Sequence, residues 1–167
     1  MAEVGEGWVR IRTAYDYPGW IRADATGGGP DPAWLGPHTA DPVEAARMLL
    51  GSPYLWGGTT AAGIDCSGLV HMSFRAAGRL VPRDADQQED AAETVATGDL
   101  RPGDLVTYGD DAGADHIAFW LGDGRILHST QREGVDGVVE EPEPAELRAR
   151  RRRAIRFPVA SANQLPS

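Results

Sequence analysis

Apolar and polar residues alternate through GWVRIRTAYDYPGWIRA at 7–23, on both sides of a turn-rich centre, which predicts two short strands. ATGGGPDPAWLGPHTADP follows, rich in Gly and Pro, and reads as a linker or an extended wrap. The pattern then changes period. DPVEAARMLLG predicts a helix with Asp41 as N-cap, Pro42 at the first helical position, Glu44 as capping-box acid and Gly51 as stop. SPYLWGGTTAAG reads as a loop. Residues 66–77 predict a second helix, capped by Asp65, burying Leu69, Val70, Phe74 and Ala77, and ended by Gly78.

VPRDADQQEDAAETV predicts a turn into a short helix capped by Asp84 or Asp86. Pro102-Gly103 marks a tight turn into a strand near Leu105. ADHIAFWLGDGRILHST predicts a hairpin around Gly122-Asp123-Gly124, and VDGVVEE and RRAIRFPV predict later strands. Helices followed by an antiparallel run of strands define an α+β fold. The expected division is a strand segment at 1–24, a linker at 25–41, a main domain at 42–160 and a tail at 161–167.

Composition narrows the function. A formal net charge of -9 argues against nucleic acid and anionic membrane as partners. No run reaches the ~18–20 apolar residues that span a bilayer. The start MAEVGEGWVRIR lacks the basic and apolar regions of a signal peptide, so a complete chain is expected in the cytoplasm and a trimmed one in the cell wall or outside the cell. RARRRRAIR, ending at Arg156, follows the acidic EEPEPAE and reads as a solvated, charge-balanced surface. GDG at 122–124 reads as a turn, since no helix follows it.

The single cysteine, Cys66, excludes an internal disulfide. It opens a helix, where unpaired N–H groups and the helix dipole favour thiolate, the nucleophilic form. Gly68 leaves the approach free of bulk. The alternative is a buried, inert thiol. Of the four histidines, His38 lies in the linker, and His71 lies five residues past Cys66, about 500° around the helix, and reads as structural.

His116 and His128 lie on the two strands of the hairpin. If residues 122–124 form a three-residue loop, Ala118 faces His128 and His116 is diagonal to it on the same face, within ~7–8 Å. A two-residue Asp123-Gly124 turn shifts the register by one and separates them. With the odd loop, His116 can act as base toward Cys66 and His128 can fix its tautomer. Two ordinary strand histidines, or a zinc site with Cys66, are the other readings.

Four segments in order, PYLWGG at 53–58, GIDCSGLV at 63–70, VPRDADQQ at 81–88, and RPGDLVTY with DHIAFWLGDGRILHS, resemble the NlpC-type bacterial cell-wall cysteine peptidases. The resemblance covers about residues 42–160. It implies a papain-like core, with N-terminal helices packed on an antiparallel sheet, and neither metal nor cofactor. It implies Cys66 as nucleophile, His116 as general base and acid, His128 as orienting residue, and Tyr54 as an oxyanion donor with the Cys66 amide. Residues 7–23 look like the end of a small Src-homology-three-like barrel, too short to close. That combination is similar to the γ-D-glutamyl–diamino acid endopeptidases, which cut peptidoglycan stem peptides and recognise a free N-terminal L-Ala. It implies muropeptides as partners, with Asp65, Ser67 and Asp84 lining the amine pocket. Asp65 as only a cap, and Asp84 as a cap or partner of Arg83, are the plainer readings. Ala85 departs from the serine of relatives. A thiol triad on this core also serves amidases and acyltransferases, and a wall-binding module with a dead site is the non-enzyme alternative.

Overall fold

The computed structural model describes residues 2–5, 8–12, 18–22 and 39–158. The chain forms two compact units, Met1–His38 and Thr39–Ser167. In the first, β1 (Ala2–Gly5), β2 (Trp8–Arg12) and β3 (Pro18–Arg22) form an antiparallel sheet in that order. The two expected strands are β2 and β3, with Val9 opposite Ile21. The expected linker up to residue 38, His38 and the tail 161–167 lie outside the described residues.

The second unit opens with α1 (Pro42–Arg47). Asp41 caps it, its carboxylate accepting from the Val43 N–H at 2.9 Å. The expected capping box does not form. The Asp41 N–H donates to Thr39 Oγ1, and Glu44 accepts from Arg47 one turn on. Thr59–Thr60 (β4) and Gly63–Ile64 (β5) make a small antiparallel pair inside what reads as a loop. Next come α2 (Cys66–Ala76) and α3 (Ala85–Ala91).

The main sheet is built from β6 (Glu93–Val95), β7 (Leu105–Asp110), β8 (Gly113–Gly122), β9 (Arg125–Arg132), β10 (Val135–Pro142) and β11 (Arg151–Arg156). A short helix, α4 (Ala145–Arg148), precedes β11. All neighbours are antiparallel, in the order β10-β9-β8-β7-β11-β6. Strand alternation sorts side chains between two apolar clusters. Leu105, Ile117, Phe119, Leu127 and Ile155 join Leu69, Val70 and Phe74 of α2 in the larger one. Val106, Tyr108, Ala118 and Ile126 form the smaller. Phe74 fastens helix to sheet, its ring 6.1 Å from that of Phe119 and 5.1 Å from that of Phe157.

The hairpin corrects one expectation while keeping its consequence. Gly122 pairs with Arg125 across a two-residue turn, with Asp123 at φ 49° and Gly124 at φ 72°. Positive φ at both positions matches the right-handed twist of the strands. The register then shifts by one between Trp120 and Gly122, so Trp120 faces Ile126 and Phe119 faces Leu127. The odd residue is a bulge at Leu121, not a third loop residue, and it restores the register that an odd loop would have made.

Gly68 is also corrected. A Cβ there would lie 2.3 Å from the Gly58 carbonyl oxygen and 2.8 Å from Asp65 Oδ1. The missing side chain lets α2 press against the 53–58 loop; it does not leave room for a substrate. Gly68→Ala is therefore expected to destabilise the fold by about 1–3 kcal/mol in denaturant titration. Gly98→Ala, which meets nothing within 4 Å, should stay within about 0.5 kcal/mol of wild type. Equal midpoints for the two would contradict this packing.

Candidate active site

Cys66 is the first residue of α2, and Asp65 before it caps the helix, accepting from the Gly68 N–H at 2.7 Å. The 53–55 segment is stitched to β5: the Ile64 N–H donates to Pro53 O, and the Leu55 N–H to Ile64 O. That fixes Tyr54 beside the start of α2. Burial, then Cys66 and Asp65, push the Tyr54 hydroxyl up to about 12, so it stays a protonated donor at neutral pH.

Cys66 is 5% exposed and lines a cleft of about 540 Å³ with Trp56, Asp65, Ser67, Arg83, Asp84, Asp86 and Asp115. Burial, then Asp65, push the thiol up to about 11, against the backbone amides of Ile117, Ser67 and Cys66 itself. The expectation of a resting thiolate is thereby corrected: desolvation and a carboxylate outweigh the helix terminus. The amide of Ile117 places the sulfur beside the residue that follows His116.

β8 and β9 are paired from Gly122–Arg125 to Phe119–Leu127. His116 and His128 lie past the last pair, and the bulge-corrected register brings them together: His116 Nε2 and His128 Nδ1 are 2.8 Å apart, the rings at 82°. At the same level the Ser129 hydroxyl donates to Ile64 O at 2.6 Å, tying β9 to the strand just before Cys66. Burial first, then His128 and Arg150, pull the half-buried His116 down to about 3, so it is neutral and able to accept a proton. His128 is fully buried and also lowered, burial outweighing Glu141, whose Oε1 lies 2.9 Å from its Nε2. Both ring nitrogens of His128 are thus held by hydrogen bonds, which speaks against the zinc reading. Among the described residues no group of His, Cys, Asp and Glu is placed to hold a metal ion.

The acid side of the cleft departs from expectation. Asp65 Oδ2 accepts from the Gly57 N–H at 2.7 Å and from Arg83 at 2.8 Å. The Ser67 hydroxyl accepts from Arg83 at 2.8 Å. Asp65 and Ser67 are therefore occupied by Arg83, where the sequence pattern pairs Arg83 with Asp84. Asp84 precedes α3 without capping it through its side chain, and lies exposed at the cleft. Three further groups escaped the sequence reading. Glu141 stands behind His128. Glu143, its side chain 0% exposed, takes two bonds from Arg151, one from Arg148 and one from the Tyr108 hydroxyl. Tyr108 in turn holds its ring 5.7 Å from that of His116. The acidic and arginine runs that read as a solvated surface are in part this buried support.

The chain belongs to the NlpC/P60 family, whose pattern it matches over residues 51–152. It is 36% identical over 100 residues to a gamma-D-glutamyl-L-lysine dipeptidyl-peptidase of Bacillus cereus, an overlap of 58% of this chain and 30% of that protein. The crystal structure of an NlpC/P60 family protein from Bacillus cereus superposes with a TM-score of 0.65 at 26% identity, covering 93% of this chain and 52% of that one. RipD of Mycobacterium tuberculosis, a non-catalytic NlpC/p60 domain, shares the fold with a TM-score of 0.58 at 24% identity, over 68% of this chain and 92% of its own. The matched region spans under a third of the curated peptidase's length. Active and inactive domains share this architecture, so activity has to be argued from the site.

His71, His116 and His128 are all held below the ordinary imidazole range, burial leading in each. Below about pH 6.5 the unfolded chain binds protons there that the folded chain does not. Stability present above that pH is therefore lost as pH falls. Thermal midpoints should decline from pH 7 to pH 5, with His116 supplying up to about 1.4 kcal/mol per pH unit. His116→Asn should flatten the decline; a wild-type midpoint constant over this range would contradict the assignment.

Proposed function

We propose that this chain is a cysteine peptidase that hydrolyses peptidoglycan stem peptides at the γ-D-glutamyl–diamino acid bond. The observation that carries the reading is one constellation: a cleft-lining thiol at a helix N-terminus, its sulfur at the amide of Ile117, and in the preceding residue, His116, a neutral imidazole that a second histidine holds at 2.8 Å. Such a set needs only a substrate carbonyl at the sulfur to perform acyl transfer.

In this reading the thiol proton passes to His116 as the sulfur attacks the γ-glutamyl carbonyl carbon. The oxyanion sits between the Tyr54 hydroxyl and the Cys66 N–H. As the C–N bond breaks, His116 returns the proton to the leaving amine. Water, deprotonated by His116, then hydrolyses the thioester and releases the thiol. Both partners begin in the protonation states that the first transfer requires, a thiol that can give a proton and an imidazole that can take one.

The substrate class rests on the similarity to a γ-D-glutamyl-L-lysine peptidase and on the charge of the cleft, lined by Asp65, Asp84, Asp86 and Asp115 with Arg83, where Asp115 pairs with Arg150. With Asp65 neutralised by Arg83, Asp84 is the carboxylate assigned to the free L-Ala ammonium, and Asp65 and Ser67 shape the pocket through Arg83. A papain-like core is supported by α2 packed on the sheet that carries both histidines. A Src-homology-three-like remnant is supported by the antiparallel β1-β2-β3 sheet.

Cys66→Ala is expected to abolish release of diamino acid from L-Ala-γ-D-Glu-diamino acid, followed by mass spectrometry. Tyr54→Phe should lower kcat by about 10²- to 10³-fold. Undiminished release by Cys66→Ala would overturn the reading. Cleavage confined to N-acetylmuramoyl-L-Ala bonds or to simple esters would assign the same triad to an amidase or acyltransferase instead.

A further inference from the structure

We propose that Glu141 is a positioning residue that sets the tautomers of both histidines, so that His116 presents a bare Nδ1 to the thiol. The proposal rests on the catalytic reading of Cys66 and His116 for its consequence, but not for its geometry.

β10 pairs with β9 in unbroken register, with Val139 opposite His128 and Glu141 opposite Ile126. Glu141 is thus diagonal to His128 on the same face of the sheet. One carboxylate oxygen, Oε1, lies 2.9 Å from His128 Nε2; the other, Oε2, accepts from Arg132 Nη2. Arg132 fixes the carboxylate and, with His128, holds it below the usual range despite its partial burial. Glu141 is therefore ionised at neutral pH.

An ionised carboxylate only accepts. His128 must then carry its proton on Nε2, which leaves Nδ1 a lone pair. That lone pair is 2.8 Å from His116 Nε2, so His116 must also carry its proton on Nε2. The remaining nitrogen of His116, Nδ1, is left unprotonated, and it receives the Cys66 proton. Each step has a single outcome, because two N–H groups or two lone pairs cannot share a 2.8 Å contact. The order Arg132–Glu141–His128–His116 also supplies a counter-charge when His116 becomes an imidazolium. The proton itself moves only between sulfur and His116 Nδ1; Glu141 takes up none.

Glutamine at this position has one acceptor where two donors compete. The charged Arg132 guanidinium is the stronger donor and takes the amide oxygen, so the amide NH₂ faces His128 Nε2 and turns both tautomers over. The test is nitrogen-15 NMR of histidine-labelled protein at pH 7, with kinetics on the stem tripeptide alongside. Wild type should show His116 and His128 both protonated on Nε2. Glu141→Gln should move the proton of His116 to Nδ1 and lower kcat by about 10²- to 10⁴-fold, with KM changed less than about threefold. Wild-type spectra with Nδ1–H on either histidine overturn the proposal, and need no variant to fold. So does a Glu141→Gln protein with unchanged tautomers, or with reversed tautomers and full kcat. The spectra of Cys66→Ala separate the two questions: hydrolysis by that variant defeats the catalytic reading, while its tautomers test Glu141 alone.

Discussion

The register between β8 and β9 is the constraint on which the site depends. Side chains in a strand alternate faces, so one residue of slip would send His116 and His128 to opposite sides of the sheet. The slip that the two-residue Asp123-Gly124 turn introduces is cancelled by the bulge at Leu121. The contact between the two rings uses that cancellation, and through it the orientation of His116; Glu141 reaches His128 through the separate, unbroken β9–β10 register.

Around that register the fold supplies rigid support on several sides. Phe74 joins α2 to the sheet through Phe119 and Phe157. Ser129 ties β9 to the carbonyl just ahead of Cys66, and the 53–55 segment is laced to Ile64. Buried carboxylates do the rest. Glu143 gathers Arg148, Arg151 and Tyr108, and Glu89 takes Thr107 and Arg152. Buried ion pairs add little net stability against apolar replacements. Their effect here is directional, because bidentate arginine–carboxylate contacts hold side chains in one geometry.

Most of the framework was legible in the residues. The Asp65 cap, the span of α2, the hairpin and the later strands β10 and β11 each carry strong local signals. What was not legible depended on tertiary context. A bulge and an odd loop place the same residues opposite one another, so pattern alone cannot locate the extra residue. Glu44 has the capping-box spacing, but Arg47 competes for its carboxylate one turn away. Glu141 and Glu143 sit in an acidic run before an arginine run, and read as solvent-facing until the β9–β10 pairing and the return of β11 beside β7 enclose them. Gly68 reads as open space until the Gly58 carbonyl fills it. The thiol reads as activated by its helix until desolvation is weighed against a few partial charges.

The central claim is that one sulfur, deprotonated by its neighbouring imidazole, carries the chemistry. Iodoacetamide labelling followed by intact-mass spectrometry, with tripeptide hydrolysis assayed on the same samples, tests it most directly. The account predicts that activity falls in proportion to the single label on Cys66, and that tripeptide slows the labelling. Protein fully labelled at Cys66 that still hydrolyses tripeptide at the unlabelled rate would contradict it.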